Sequence, residues 1–381
     1  MAAIAVGSGA MIVLFSVFNG LEYLVKDLYK SFYPEIKITA SKGKFYSLPA
    51  AQFAAVKTTD GVKYVSTVIE DNVLANSNEE QIVATLKGID SNYLKVNDIK
   101  QYIVNGSDSV SAYPVATAIF GARLANQVGA DVNNVFSTVM LYYPNTKSTG
   151  PVLDPSSAFQ SLNLKPDGEF RVQDDFDSKY VLAAIPLVQE LFQEPGKYSS
   201  IEISLNEHTN PENVKKQLQQ QLGSGYKVET RFEQNKTLYM VMRTEKWAVY
   251  AILLLVLFIA SFNMVGALSM LVLEKQKDIA ILRTMGASTS AIRGIFLVEG
   301  ILWALTGGLG GIALGTLLCL GQQQFKWVKL GGGFMIDAYP IRMLWPDFVL
   351  VLVTIIVVGL LAAIYPSLKA SKTGTTGLRS T

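Results

Sequence analysis

Few residues in this 381-residue chain have the types and spacing that chemistry needs. It holds one histidine, His208, and one cysteine, Cys319. That excludes an internal disulfide and a cysteine-based zinc site, and leaves little for His-based catalysis. His208 lies in Asn206-Glu207-His208-Thr209, just ahead of a helix start, and reads as a surface residue. The run Asp174-Asp175-Phe176-Asp177 could gather a cation but reads more simply as a solvated turn. Gly331-Gly332-Gly333 lacks the following lysine and the strand–helix setting of a phosphate-cradling loop. No G-x-x-x-x-G-K followed by Ser or Thr occurs, so no nucleotide site is expected. No Ser/His/Asp set can be assembled. The expectation is therefore no catalytic residue, no metal and no cofactor bound by this chain.

The elements that carry the remaining residues are membrane helices. Half the residues are hydrophobic and only 17% are charged, against about 25% in ordinary soluble domains. A net charge of +2 is too small to argue for nucleic acid. Residues 1–245 hold 22 Lys/Arg against 26 Asp/Glu, a balance of −4, whereas residues 246–381 hold 11 against 5, a balance of +6. Four runs reach the ~20 apolar residues that a spanning helix needs: Met1 to Leu21, Trp247 to Leu273, Gly294 to Phe325 (one charge, Glu299) and Phe348 to Leu368. The first lacks the basic start and cleavage site of a secretory signal and reads as a retained helix. It begins abruptly, which leads us to expect a natural N-terminal extension.

Four spans put both ends on one side and residues 22–245 on the other. Lys275, Lys277, Arg283 and Arg293 follow the second span, and Lys369, Lys372 and Arg379 follow the fourth; the positive-inside rule makes both segments cytoplasmic. Lys326, Lys329 and Arg342 in the third loop weaken the contrast. The expected architecture is an α-helical membrane protein with four transmembrane helices and a large inserted α+β periplasmic domain. Its parts are helix one at 1–21, the domain at 22–245, and a permease unit at 246–381 with a cytoplasmic helix near 274–287.

Within 22–245, β-branched and aromatic runs predict strands at Glu35–Thr39, Val62–Ile69, Gln81–Ile89, Val135–Leu141, Lys179–Ala184, Ile201–Leu205 and Lys227–Thr230. The clearest helix is Pro211–Leu222, with Asn210 as N-cap, Pro211 at the first position and Gly223 as stop. Others are expected at Pro49–Lys57, Gly121–Val128 and Pro186–Phe192, giving a two-layer domain. Tyr143 to Gly168 contains Pro144, Gly150, Pro151, Pro155 and Pro166 and reads as a long protruding loop, either one that binds a partner or an inert excursion.

In the third span Gly307, Gly311 and Gly315 recur every four residues, which permits close helix approach within the subunit or between subunits. Glu299 reads as an interfacial residue, and Asn263 as a hydrogen-bonding partner for a neighbouring helix. The most specific stretch runs from Asn263 to Ser288. An apolar span ends in the charged turn Glu274, Lys275, Lys277, Asp278. A short amphipathic helix follows, with Ile279, Ile281, Leu282 and Met285 at helical spacing, and Gly286-Ala287 stop it. Such a helix could dock into a groove of a soluble partner or rest in the lipid interface.

The string Asp278-Ile-Ala-Ile-Leu-Arg-Thr-Met-Gly-Ala287 resembles the hallmark of lipoprotein-releasing permeases (the LolC/LolE family), within the ABC permease class that includes FtsX and MacB. Phe262-Asn263, Ile295–Gly300, Tyr365-Pro366 and Val17-Phe18-Asn19-Gly20 extend the similarity, and the helix–domain–three-helix plan matches along nearly the whole chain. The resemblance implies a permease subunit in the bacterial inner membrane that extracts lipoproteins and passes them to a periplasmic carrier. Its partners would be a cytoplasmic ABC ATPase that binds ATP and Mg, a second permease of the same or homologous sequence, the lipoprotein, the carrier and membrane lipid. Glu274 to Ala287 would be the coupling helix: Asp278 and Arg283 would pair with charges on the ATPase, and Ile279, Leu282 and Met285 would fill its groove. Val13, Val17, Phe258 and Phe262 would line the lipoprotein cavity, and the Tyr143–Gly168 segment would engage the carrier. The alternatives are a MacB-like mechanotransmission permease and an FtsX-like regulator of cell-wall hydrolases. An integral-membrane hydrolase is disfavoured by the missing catalytic set.

Overall fold

The computed structural model describes residues 2–76, 81–145, 158–329 and 338–373. Along the chain these form α1 (Ala2–Tyr29), β1 (Ile36–Ala40), α2 (Ala50–Thr58), β2 (Val62–Asn76), β3 (Gln81–Ile89), α3 (Tyr93–Val96), a 3-10 turn (Asp98–Tyr102), β4 (Ile103–Gly106), β5 (Thr117–Gly121), α4 (Ala122–Val128), β6 (Val139–Pro144) and β7 (Phe159–Phe170). There follow α5 (Asp174–Asp177), β8 (Tyr180–Ala184), α6 (Ile185–Leu191), β9 (Ser200–Leu205), α7 (Pro211–Leu222), β10 (Tyr226–Thr230), α8 (Arg231–Gln234), α9 (Lys236–Glu274), α10 (Gln276–Thr284), α11 (Thr289–Phe325) and α12 (Trp345–Thr373). One compact unit holds the described residues of Met1–Leu24, Met240–Leu330 and Ala338–Thr381; the other holds those of Val25–Tyr239.

Four helices, α1, α9, α11 and α12, are long and apolar enough to cross a membrane. In lipid a helix satisfies all its own backbone hydrogen bonds, which is why apolar runs of this length take that form. Each helix is longer than its apolar run. α9 has 39 residues, about twice what a ~30 Å hydrocarbon core requires, and its first turns carry Lys236, Arg243 and Glu245. Ile12, Phe15, Leu257, Leu268, Ala304 and Ile355 are among the fully covered side chains at the centre of this unit.

The other unit is built on one ten-stranded sheet, in the order β10-β1-β9-β2-β3-β8-β5-β7-β4, with β6 paired to β2 and β7. Most neighbours are antiparallel; β3–β8 and β5–β7 are parallel. Two apolar clusters hold helices against it. Ile36, Ile38, Ile201 and Ile203 pack with Val56 of α2 and Val214 and Leu218 of α7. Ile69, Leu86, Phe120 and Leu141 pack with Leu124 of α4 and Val188 of α6. Helix α7 starts where Asn210 Oδ1 accepts from the Glu212 amide at 2.9 Å and stops at Gly223, whose φ of +73° suits glycine.

Two expectations fail here. The Tyr143–Gly168 segment is not one long loop. Tyr143 and Pro144 end β6, and Pro166 and Gly168 lie within β7; only residues 146–157, with Pro151 and Pro155, fall outside the described residues. β7 tolerates its proline because its pairing with β5 shifts register between Ala118 and Ile119, opposite Pro166 and Gly168, and prolines in sheets sit at such bulges. Gly168 is required there: a Cβ would lie 2.2 Å from the Ser107 carbonyl oxygen. The expected strand from Val135 begins instead at Val139. Asp131 and Asn134 side chains accept from the Asn133 and Phe136 amides at 2.9 and 3.0 Å, which turns the backbone away from the ladder.

Four adjacent strands share a ladder of charges, buried at Lys87 and Glu202 and half-buried at Lys37 and Glu70. Lys37 (β1) reaches Glu70 (β2) at 3.1 Å; Lys87 (β3) reaches Glu70 at 3.6 Å and Glu202 (β9) at 2.8 Å. Asn97 donates to Glu202 at 2.5 Å, and the Lys87 ammonium lies 4.9 Å from the Tyr93 ring centre. Burial alone would raise the Glu70 pKa, but Lys87 and Lys37 outweigh it and hold the carboxyl down at about 2. A carboxylate depressed from its ordinary 4.5 to about 2 contributes stability that is fully present above the ordinary value and is lost as pH falls towards 2. Hydrogen-exchange protection of the β2, β3 and β9 amides should therefore weaken across that window. Lys87→Met, which strands Glu202 without its cation, should cost about 3 kcal/mol of protection in the same strands at neutral pH.

Candidate functional site

Among the described residues no cluster of three or more His, Cys, Asp or Glu could hold a metal. Asp174 pairs with Arg123, while Asp177 is buried and accepts from the Val172 amide at 2.8 Å; burial raises its pKa to about 6 despite that bond. His208 is exposed, at φ +65°. Gly331-Gly332-Gly333 lies outside the described residues.

The stretch from Glu274 to Ala287 makes a compact elbow. α9 ends at Glu274; α10 is nine residues, Gln276–Thr284; Gly286 turns the chain at φ +92°; and Ser288 caps α11 by accepting from the Ala291 amide at 3.2 Å. Lys275 pairs with Asp278 at 3.1 Å on the exposed side. Glu274, Lys277 and Gly286 are exposed, and Ala287 is half-buried. Ile281, Leu282 and Met285 also face outward, Met285 being 78% exposed. Two residues differ from expectation. Ile279 does not face a partner: it is buried with Val272, Ile292, Phe296 and Ala370 of this same unit, because the helical spacing turns it towards the bundle. Arg283 is held inside the subunit, donating to the Ser371 carbonyl. Beside α10 an open groove of about 290 Å³ is lined by Lys275, Asp278, Ile279, Leu282, Phe296 and the half-buried Glu299, so Leu282 borders both the groove and the outward face.

Glycine sets how α11 meets its neighbours. A Cβ on Gly311 would lie 2.0 Å from the Ala5 carbonyl oxygen, and one on Gly315 would lie 2.7 Å from that of Gly9. On α12's side, a Cβ on Gly300 would lie 2.4 Å from Ala363 Cβ and one on Gly308 would lie 2.7 Å from Ile355. Gly307 is buried as well. Ser8 adds a hydrogen bond from its hydroxyl to the Gly308 carbonyl at 3.1 Å. Val13 and Val17 on α1 are half-buried. Phe258 and Phe262 on α9 are exposed and meet edge to face, 5.3 Å between centres. Asn263 is exposed too. In the other unit, buried Tyr143 donates to Asp71 at 2.9 Å and Pro166 is buried. Pro144 is exposed, as is Phe159 at the start of β7.

The structure also assembles a polar cluster that no local pattern announces. Asn19 Nδ2 donates to Asp347 Oδ2 at 2.5 Å, and Lys246 Nζ reaches Asn19 Oδ1 at 2.8 Å and Asp347 Oδ1 at 3.1 Å. Only Asn19 stood out in the sequence, inside Val17-Phe18-Asn19-Gly20; Lys246 and Asp347 lie 227 and 328 residues away.

The family model for the MacB-like periplasmic core domain matches residues 1–221, and that for the FtsX-like permease C-terminal matches residues 250–375. The chain belongs to the MacB-like periplasmic core domain family and carries the FtsX-like permease C-terminal with it. Its whole-length relatives narrow the resemblance to the LolC/LolE group. The lipoprotein-releasing system transmembrane protein LolE of Haemophilus influenzae is 24% identical, with 97% of this chain and 90% of that protein covered. LolC of Xylella fastidiosa is 25% identical with the same coverage, and LolC of Neisseria meningitidis serogroup B is 26% identical with 98% and 91% covered. Among solved structures, the periplasmic region of MacB from Actinobacillus actinomycetemcomitans is 11% identical, covers 57% of this chain and 98% of its own, and gives a TM-score of 0.39.

The glycine contacts separate two substitutions on one helix. Gly311→Val should force α1 off α11 and lower stability in detergent by about 2–3 kcal/mol. Gly310→Ala has no heavy atom within 4 Å of the new Cβ and should be neutral or slightly stabilising. Thermal unfolding of the two variants beside the parent protein checks the contrast.

Proposed function

We propose that this chain is the permease subunit of an ABC transporter that extracts lipoproteins from the bacterial inner membrane and hands them to a periplasmic carrier. The observation that carries this reading is its relationship, over 97% of its length, to lipoprotein-releasing transmembrane proteins. In this reading ATP and Mg bind a separate cytoplasmic ATPase, a second permease completes the membrane part, and the sheet unit stands in the periplasm. The elbow at Glu274–Ala287 supports it: Ile281, Leu282 and Met285 offer an apolar docking face, while Ile279 ties that face to α11 and α12. MacB-like and FtsX-like roles share the architecture, but full-length similarity to the lipoprotein-releasing proteins favours extraction.

The physical task explains the apolar walls. About three acyl chains of roughly 15 carbons, at ~0.8 kcal/mol per buried CH₂, make exposure to water unfavourable by about 36 kcal/mol. Release therefore needs an apolar chamber and a carrier that shields the chains. Val13 and Val17 with Phe258 and Phe262 are proposed to wall that chamber. The segment between β6 and β7 in the sequence, with Pro151 and Pro155, is proposed to meet the carrier.

Depleting the protein should leave outer-membrane lipoproteins in the inner membrane, as read by fractionation; correct sorting under depletion defeats the proposal. For the elbow, Met285→Asp and the pair Leu282→Asp with Arg283→Glu should each abolish copurification of the ATPase. Met285→Asp is the cleaner of the two, because Arg283 also holds Ser371.

A further inference from the structure

The cluster of Asn19, Lys246 and Asp347 joins α1, α9 and α12, and a second set of contacts tightens it. The segment ahead of α12 wraps α1. The Arg342 amide donates to the Ser16 carbonyl at 2.9 Å. Asn19 also donates to the Arg342 carbonyl at 3.2 Å, and the Arg342 guanidinium lies 4.4 Å from the centre of the Tyr23 ring. Gly20 lies so close to the Pro340 carbonyl that a Cβ there would be 2.0 Å from its oxygen. Asn19 and Asp347 are 4% and 8% exposed. The Lys246 ammonium lies 5.5 Å from the centre of the Phe15 ring.

A buried ion pair stabilises a bundle no better than apolar side chains of the same volume; what it can add is a single permitted register. Asn19 makes that register strict, because one amide reads both charges. If any of the three helices slides, a charge or half of the amide is left without its partner. The other contacts of α1 are chiefly with α11: Ala5 and Gly9 meet Gly311 and Gly315 backbone to backbone, Ile12 lies against Gly315, and Ser8 bonds the Gly308 carbonyl. Those contacts set the approach of α1 to one neighbour. The clasp is what ties it by charge to α9 and α12 as well.

We infer that Asn19, Lys246 and Asp347 are positioning residues that make α1 one rigid body with α9, α11 and α12, so that transport changes the spacing between permease subunits and never peels α1 from its own bundle. The inference rests on the proposed function, in which α1 and α9 carry the chamber wall. With α1 clasped, Val13 and Val17 keep a constant setting relative to Phe258 and Phe262, and the chamber widens or narrows only across the subunit boundary.

A disulfide tests this directly. Ser16 on α1 neighbours the native Cys319 on α11, and both are buried, so Ser16→Cys supplies the missing partner for a bond inside one subunit. In the complete complex, reconstituted with ATPase, lipoprotein and carrier, the oxidised variant should release lipoprotein as fast as the reduced one. Arrest on oxidation, reversed by reductant, overturns the inference. The charges give a second reading. Lys246→Met and Asp347→Asn should each lower lipoprotein released per ATP hydrolysed by at least about five-fold, with ATP turnover retained. The exchange Lys246→Asp with Asp347→Lys should recover most of that ratio. An unchanged ratio in both single variants overturns the inference as well. A parent complex that hydrolyses ATP yet releases no lipoprotein refutes the proposed function instead, so the two failures are distinguishable.

Discussion

A Cβ added at Gly311 would sit 2.0 Å from the carbonyl oxygen of Ala5 and 2.1 Å from the hydroxyl of Ser8, and the rest of the membrane unit follows from that closeness. Lipid tails are as apolar as leucine, so helices in a bilayer gain little by hiding apolar surface from one another. Close packing and hydrogen bonds must hold them, and both need backbones that nearly touch. α11 provides this on two sides. Gly311 and Gly315 receive α1, while Gly300 and Gly308 receive α12. Gly308 serves both neighbours: its carbonyl accepts from Ser8, and its missing side chain admits Ile355. α11 is thus the thin axis on which the bundle closes.

The sheet unit is held by a different balance. It has water as its solvent, so burial of Ile, Val, Leu and Phe drives it. Its polar interior then becomes the demanding part. Lys37, Glu202, Glu70 and Lys87 come from four strands that lie side by side in the order β1, β9, β2, β3. The two glutamates on the central pair are acceptable because the lysines of the flanking strands reach across to them. Lys37 spans β9 to Glu70 and Lys87 spans β2 to Glu202, so the two pairs interlock all four strands.

Local pattern carried much of this architecture, and the misses share a cause. The four spans stand out as apolar runs, and Gln81–Ile89 and Pro211–Leu222 run from first residue to last as their composition suggests. β7 was hidden because Pro166 and Gly168 are turn residues by local rule, and only the bulged pairing to β5 makes room for them. The short β5 gave no alternation to read, since four of its five residues are buried. The elbow was legible as an amphipathic helix, but not which apolar residue turns inward: that depends on Ile292, Phe296 and Ala370, which arrive later in the chain. The Asn19–Lys246–Asp347 clasp is the extreme case. Asn19 lies in a recognisable string but Lys246 and Asp347 do not, and only the folded bundle brings the three together.

The inward turn of Ile279 has a mechanical corollary. α10 is nine residues long, about 13 Å at 1.5 Å per residue, and Ile279 is its one buried apolar side chain, placed near the middle. Arg283, one turn further on, ties the same rod to the Ser371 carbonyl of α12. Held at two points, α10 has no free pivot. A load on its exposed Met285 end therefore passes into α11 through Ile279 and into α12 through both anchors, and two spans share it as one.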